Sequence, residues 1–138
     1  MAAPPAHLAR ALVALREYLA GRRREFDLPL DLDRVSSFQR RVYEKLLAIP
    51  FGTVTSYGEI AARIGLDQGA ARAVGQAVGA NPVPILIPCH RVVAADGRLS
   101  GFGGGLARKA LLLRLEGIDV DGARPTSRVH PEILKLPL

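Results

Sequence analysis

Leu8, Leu12, Leu15 and Leu19 recur at helical spacing, which predicts an amphipathic helix over residues 8–20 ended by Gly21. Residues 22–33 are mixed in charge and broken by Pro29, the pattern of a connector with room for a short strand. Ser36 and Gln39 then have capping-box spacing, and Phe38, Val42 and Leu46 run down one face of a second helix, stopped by Pro50-Phe51-Gly52. A second box, Ser56-x-x-Glu59, opens a short helix through Ile64 with Gly65 as its stop. After the turn at residues 66–69 a further helix is expected over residues 70–80. Helix, short turn and helix is the helix-turn-helix layout, which other α proteins also share.

That helix has two distinct faces. Ala70, Val74 and Ala77 can pack on a core, while Ala71, Gly75 and Gly79 form a stripe almost free of side chains, with Arg72 beside it. Two helical glycines cost about 1 kcal/mol each relative to alanine, so the smooth face needs a reason. Close helix packing and close approach to a nucleic-acid groove both supply one. Asn81-Pro82-Val83-Pro84 must run extended, and Ile85-Leu86-Ile87 is an apolar run leading to Pro88-Cys89-His90-Arg91. Val92-Val93 predicts a strand, Asp96-Gly97 a hairpin turn, and Arg98-Leu99-Ser100 the return strand. A glycine-rich loop over residues 101–105 leads into a Leu-rich helix, Leu106 to Leu115, with Gly117 as its stop. The tail from residue 118 has no clear period. The expected class is α+β and mainly helical, with a small hairpin.

Composition narrows the setting. The 138 residues are 49% hydrophobic and 23% charged, which suits a globular domain rather than a disordered chain. No apolar run reaches the roughly 20 residues of a membrane span, and residues 1–7 lack the pattern of a secretory signal. The lone cysteine, Cys89, forbids an intramolecular disulfide and a cysteine-rich zinc site, so a reducing, cytoplasmic setting is expected. The formal charge is +6, and residues 36–117 hold ten cations against five anions. Such an excess suits phosphate backbones, although a solvated basic surface has the same composition.

Cys89 carries the candidate chemistry. A free thiol is mostly protonated at neutral pH and needs a base to react. His90 can take that proton, directly or through a water, and a third group should then orient the ring. Glu116 is a candidate for this task because its position is locally unfavourable. It ends a helix at the negative pole of the dipole, so it is either a surface acid or an acid held by a specific partner.

The run Ile87-Pro88-Cys89-His90-Arg91-Val92 resembles the active-site motif of the O6-alkylguanine-DNA alkyltransferases, the methylated-DNA–protein-cysteine methyltransferases. The likeness continues through Phe51-Gly52-x-Val54-x-Ser56-Tyr57, Ala71-Arg72-Ala73-Val74-Gly75, Asn81-Pro82-x-Pro84, Gly104-Gly105-Leu106 and Glu116-Gly117. It is dense over residues 36–117 and looser over 8–35. The resemblance implies a winged helix-turn-helix-like C-terminal alkyltransferase domain over 36–117, a shortened N-terminal helix and connector over 1–35, and a tail over 118–138.

It also implies a task for each matching residue. Cys89 would accept the alkyl group from O6 of guanine in double-stranded DNA, irreversibly, with His90 as base through a water and Glu116 orienting His90. Asn81 would brace the turn between the DNA-binding helix and the active-site segment. Ala71 and Gly75 would let the helix approach the minor groove, Arg72 would fill the space of a flipped base, and Tyr57 would rotate that nucleotide and contact the guanine. The N–H of Gly103 would donate to O6, the carbonyls of Cys89 and Val92 would accept from the amino group, and Phe102 would wall the pocket. Phe102 and Gly103 stand where tyrosine and serine are common, Tyr43 where tryptophan is usual, and Gly79 where some members carry a basic residue. No cofactor or metal is expected, and a monomer is. The alternative within the same scaffold is an alkyltransferase-like protein that recognises O6-alkylguanine DNA without transfer; such proteins replace the cysteine, which is present here.

Overall fold

The computed structural model describes residues 6–100 and 105–130, and the chain divides into two compact units, Met1–Arg34 and Val35–Leu138. In the first unit, helix α1 spans Ala6–Leu19. Its buried residues are Ala14 and Tyr18, and the Tyr18 ring lies 5.5 Å from that of Phe26 in the connector. The leucine stripe is not the buried face: Leu8, Leu12 and Leu19 stay substantially exposed. Spacing identified the helix, but neighbours choose which face is covered.

The second unit begins with α2, Ser37–Leu47, whose capping box closes as expected between Ser36 and Gln39. It buries Val42, Tyr43 and Leu46. Strand β1, Thr55–Ser56, leads directly into α3, Tyr57–Arg63, capped by the Ser56 hydroxyl. A 3₁₀ turn at Gln68–Ala70 precedes α4, Ala71–Gly79. Helices α2, α3 and α4 pack on one another. Val74 and Ala77 sit in this core, and the Tyr43 hydroxyl donates to the Ala77 carbonyl at 2.8 Å.

Two segments fold otherwise than their local sequence suggests. Residues 84–87 make a turn, closed by the Ile87 N–H on the Val83 carbonyl at 3.0 Å, with Ile85 at a φ of 76°. Pro82 and Pro84 have no N–H to offer a ladder, which favours a turn over a strand. Cys89–Arg91 is then a 3₁₀ turn, and β2, Val92–Val93, follows it. The expected hairpin is replaced by a parallel pair, Thr55 opposite Val92 and Ser56 opposite Val93. The Asp96-Gly97 turn does form, with Ala94 and Arg98 bonded across it, but its return segment bonds to the tail through Leu99 to Ser127 and Val129 to Gly97. At Gly97, φ is 89° and a Cβ would lie 2.7 Å from the Val129 carbonyl oxygen, so only glycine fits the turn against the tail.

Helix α5, Leu106–Leu115, completes the unit. Ala110 and Leu113 join Val54, Val93, Leu99, Ile118, Val120 and Val129 in one apolar cluster, so the unpatterned tail contributes core residues. The result is a helix-rich α+β fold with a two-stranded sheet. Among the described residues, no helix is long and apolar enough to cross a membrane.

Candidate active site

Cys89 and His90 occupy the 3₁₀ turn between the Pro84–Ile87 turn and β2, and both are buried. Residues on a tight turn can converge as neighbours on a strand cannot. Glu116, just past α5, is buried with them and accepts from His90 Nε2 at 2.7 Å. Of the two readings open to it, the structure takes the partnered one. Three more donors fix its carboxylate. The Gly52 N–H reaches Oε1 at 3.0 Å, Arg91 Nε reaches Oε1 at 2.8 Å, and Arg91 Nη2 reaches Oε2 at 2.9 Å. Gly52 adopts φ 78°, and a Cβ there would lie 3.2 Å from the Glu116 carbonyl oxygen, so the loop before β1 needs its glycine to come this close.

Asn81 lies within hydrogen-bond reach of the thiol. Its amide donates to the Ile87 carbonyl at 2.8 Å and its oxygen accepts from the Val83 N–H at 2.9 Å, which staples the end of α4 to the turn before Cys89. Burial pushes the Cys89 thiol above its ordinary pKa, opposed by a hydrogen bond from the Asn81 side chain, the Lys109 charge and the N–H groups of residues 89 and 90. Burial pushes His90 below its ordinary range, with Glu116 pulling it up and Arg91 and Lys109 pushing it further down. At neutral pH the resting pair is therefore a thiol beside a neutral imidazole. His90 Nδ1 is buried and has no hydrogen-bond partner.

Lys109 is the residue that sequence reasoning missed altogether. It is fully buried in α5, and its Nζ donates to the carbonyls of Val92 and Leu99, each at 2.7 Å. A signal existed: Lys109 precedes buried Leu112 and Leu113 at helical spacing, on the covered face. Arg91 and Gly52 stood within quoted motifs but had no assigned partner. Burial lowers Lys109 to about 8, with the Cys89 charge acting the other way.

Because an unfolded lysine titrates near ~10.4, the unfolded chain binds the extra proton between the two values. Keeping the buried ammonium charged is a cost that is fully present below pH 8 and relieved as pH rises toward ~10.4. Urea unfolding of the parent and of Lys109→Met should show the parent gaining about 3 kcal/mol relative to the variant across that window. A gap that stays flat with pH would mean Lys109 titrates normally.

The remaining candidates surround this centre. Tyr57 is half-buried at the start of α3; burial and the Cys89 charge raise its phenol, and a hydrogen bond to the Ser100 side chain lowers it. A Cβ on Gly75 would meet the Tyr57 ring at 3.7 Å, so part of the smooth stripe lies under this aromatic. Ala71 is half-buried, Arg72 is exposed, and nothing lies within 4 Å of a Cβ built on Gly79. The Val92 carbonyl accepts from Lys109, and the Cys89 carbonyl accepts from the Val92 N–H. Each carbonyl oxygen has a second lone pair to offer. Phe102 and Gly103 lie outside the described residues. No group of three or more metal-binding side chains occurs among the described residues.

The chain is similar to known proteins. Residues 37–118 match the family described as 6-O-methylguanine DNA methyltransferase, DNA binding domain. A methylated-DNA–protein-cysteine methyltransferase of Mycolicibacterium paratuberculosis is 56% identical over 112 residues, covering 81% of this chain and 67% of the relative. The chain thus spans about two thirds of that relative's length. The crystal structure of Mycobacterium tuberculosis OGT in complex with DNA is 55% identical with a TM-score of 0.76, over 78% of this chain and 66% of that one. S. pombe Atl1, solved with damaged DNA containing O6-carboxymethylguanine, is 30% identical with a TM-score of 0.64, over 78% of this chain and all of that one.

Proposed function

The chain belongs to the 6-O-methylguanine DNA methyltransferase family, and we propose that it repairs DNA by moving an alkyl group from O6 of guanine to its own Cys89. The observation that carries the assignment to Cys89 is the buried relay itself: a thiol, a neutral imidazole with a bare nitrogen, and a carboxylate fixed behind it. His90 takes the thiol proton through a water, the sulfur attacks the alkyl carbon, and the carbon–oxygen bond breaks with its electron pair leaving on the guanine. The thioether that forms offers water no leaving group, so each molecule acts once.

A buried thiol cannot reach O6 inside a duplex, so the nucleotide has to leave the stack. The near-bare face of α4 suits minor-groove contact dominated by backbone and shape, and the cation excess of residues 36–117 suits phosphates. Arg72 holds the vacated space, Tyr57 helps rotate the nucleotide, and the Cys89 and Val92 carbonyls, the Gly103 N–H and the Phe102 ring receive the base. Asn81 braces the turn before Cys89. We place the protein in the cytoplasm as a monomer; a lone cysteine suits a reducing compartment.

The test is incubation with duplex DNA containing O6-methylguanine, followed by intact-protein and peptide mass spectrometry. A gain of one CH2 confined to Cys89 supports transfer. Tight binding to the lesion with no gain would make the protein a damage-recognition relative instead.

Arg72→Ala should slow repair of duplex DNA by on the order of tenfold or more, yet leave reaction with free O6-benzylguanine near the parent rate. Arg72 is exposed on α4, where it can fill a gap in the stack, and the thiol relay is built from Cys89, His90 and Glu116. Equal losses on both substrates would assign Arg72 to folding or chemistry.

A further inference from the structure

The proposed transfer gives Arg91 no task, yet its guanidinium is built into the site. Its side chain is 8% exposed, Nε and Nη2 take both oxygens of Glu116, Nη1 donates to the Ile49 carbonyl at 2.8 Å, and the group lies 5.9 Å from the Phe51 ring centroid. A surface arginine would be free to move. This one is held from three directions.

A guanidinium keeps its proton and presents a rigid fork that matches a carboxylate. Glu116 takes both arms of that fork as a carboxylate would, and a carboxylate can only accept. Its Oε2 faces Arg91 Nη2 and His90 Nε2, so the histidine contact closes only if Nε2 carries the proton. The other ring nitrogen is then bare, and it is the atom that lacks a partner. We propose that Arg91 is a positioning residue for the transfer, fixing His90 in the tautomer whose free Nδ1 takes the Cys89 proton. The inference rests on the reading of Cys89 as the alkyl acceptor. In the step, the bridging water takes the proton as the S–H bond breaks and passes one of its own to Nδ1, where an N–H bond forms, while Nε2 keeps its own proton. Glu116 steadies the imidazolium without taking a proton from it.

Charge points the same way. The groups facing His90 are Glu116 beyond the end of α5, Lys109 within it, and Cys89 and Arg91 on its own turn. Glu116 favours the protonated ring, whereas Arg91 and Lys109 oppose it. Taking the Arg91 charge away should let His90 protonate at higher pH, which blocks Nδ1.

The experiment pairs nitrogen-15 NMR of the His90 ring, across pH in the DNA-free full chain, with single-turnover transfer rates across pH. The parent should show a neutral ring protonated at Nε2. In Arg91→Met, His90 should titrate at higher pH than in the parent. The rate at pH 7 should fall on the order of tenfold, and the acidic limb of the rate profile should move upward in pH. Arg91→Lys, which keeps the charge but not the fork, should hold the limb in place while recovering only part of the rate. Should Arg91→Met not fold, Arg91→Gln, with a donor but no charge, carries the same expectation as the methionine.

A parent ring protonated at Nδ1 overturns the proposal without any variant. So does a folded, neutral Arg91 variant with the parent's His90 titration and limb, because a merely structural arginine would leave both unmoved. The NMR arm needs no DNA. A parent that fails to alkylate while His90 behaves as stated would overturn the transfer reading and leave the arginine's action on the ring standing.

Discussion

Cys89→Ser should bind DNA containing O6-methylguanine about as tightly as the parent and transfer nothing. The hydroxyl fills nearly the same volume at the start of the 3₁₀ turn and can still accept from the Asn81 side chain, and the contacts that shape the pocket run between its neighbours. Asn81 still bonds Ile87 and Val83, and Glu116 still holds His90. What is lost is acidity: an alcohol is a far weaker acid than a thiol and stays a poor nucleophile beside one neutral imidazole. Titrating active parent against alkylated DNA should plateau at one equivalent, with the modified peptide containing Cys89. Binding can be followed by fluorescence anisotropy of the lesion duplex. A serine variant that transfers, or a parent that turns over repeatedly, would remove Cys89 from the centre of the mechanism.

The legible parts of the chain were those set by neighbours in sequence. Ser36 with Gln39, and Ser56 before Glu59, place helix starts to the residue, because capping is a contact across three positions. The apolar faces of α2 and α4 were equally plain, since Val42, Leu46, Val74 and Ala77 follow helical periods. At the site, Cys89 beside His90 could be found from adjacency. The unfavourable place of Glu116 at a helix end correctly raised the choice between a surface acid and a held one.

What could not be read were contacts between distant segments. Val92-Val93 before Asp96-Gly97 fits a hairpin locally, yet β2 takes Thr55–Ser56 as its partner, and the return segment prefers the tail. Strand pairing is decided by what else competes for the same edge, which one strand's sequence does not contain. The tail lacked a period because only scattered residues, Ile118, Val120 and Val129, reach the core. Lys109 was hidden for a different reason. A lysine in a helix normally lies at the surface, and carbonyls from elsewhere in the chain help to make its burial tolerable.

Glu116 serves both the fold and the relay, and two substitutions separate its roles. Glu116→Ala leaves the Arg91 charge buried without its partner, a defect that costs about 3–5 kcal/mol in buried pairs and is a large share of the stability of a small domain. Its unfolding midpoint in urea should drop sharply. Glu116→Gln keeps the shape but swaps one acceptor oxygen for an amide donor. Placed at the Oε1 position, that NH2 would meet two donors, Arg91 Nε and the Gly52 N–H, neither of which can accept. Placed at the Oε2 position, it meets Arg91 Nη2 and His90 Nε2, and only the imidazole can respond, by moving its proton to Nδ1. The ring then offers the thiol a donor where it needs an acceptor. Glu116→Gln also gives up the ion pair with Arg91 and should unfold at lower urea than the parent, but the acceptor oxygen it keeps should leave it less destabilised than Glu116→Ala. Its folded fraction should bind lesion DNA yet lose on the order of 10²-fold or more in transfer rate, the usual range for a displaced general base. Single-turnover kinetics on folded protein checks this, and nitrogen-15 NMR should show the His90 proton on Nδ1. A glutamine variant with the parent's rate would mean that the carboxylate serves the fold alone.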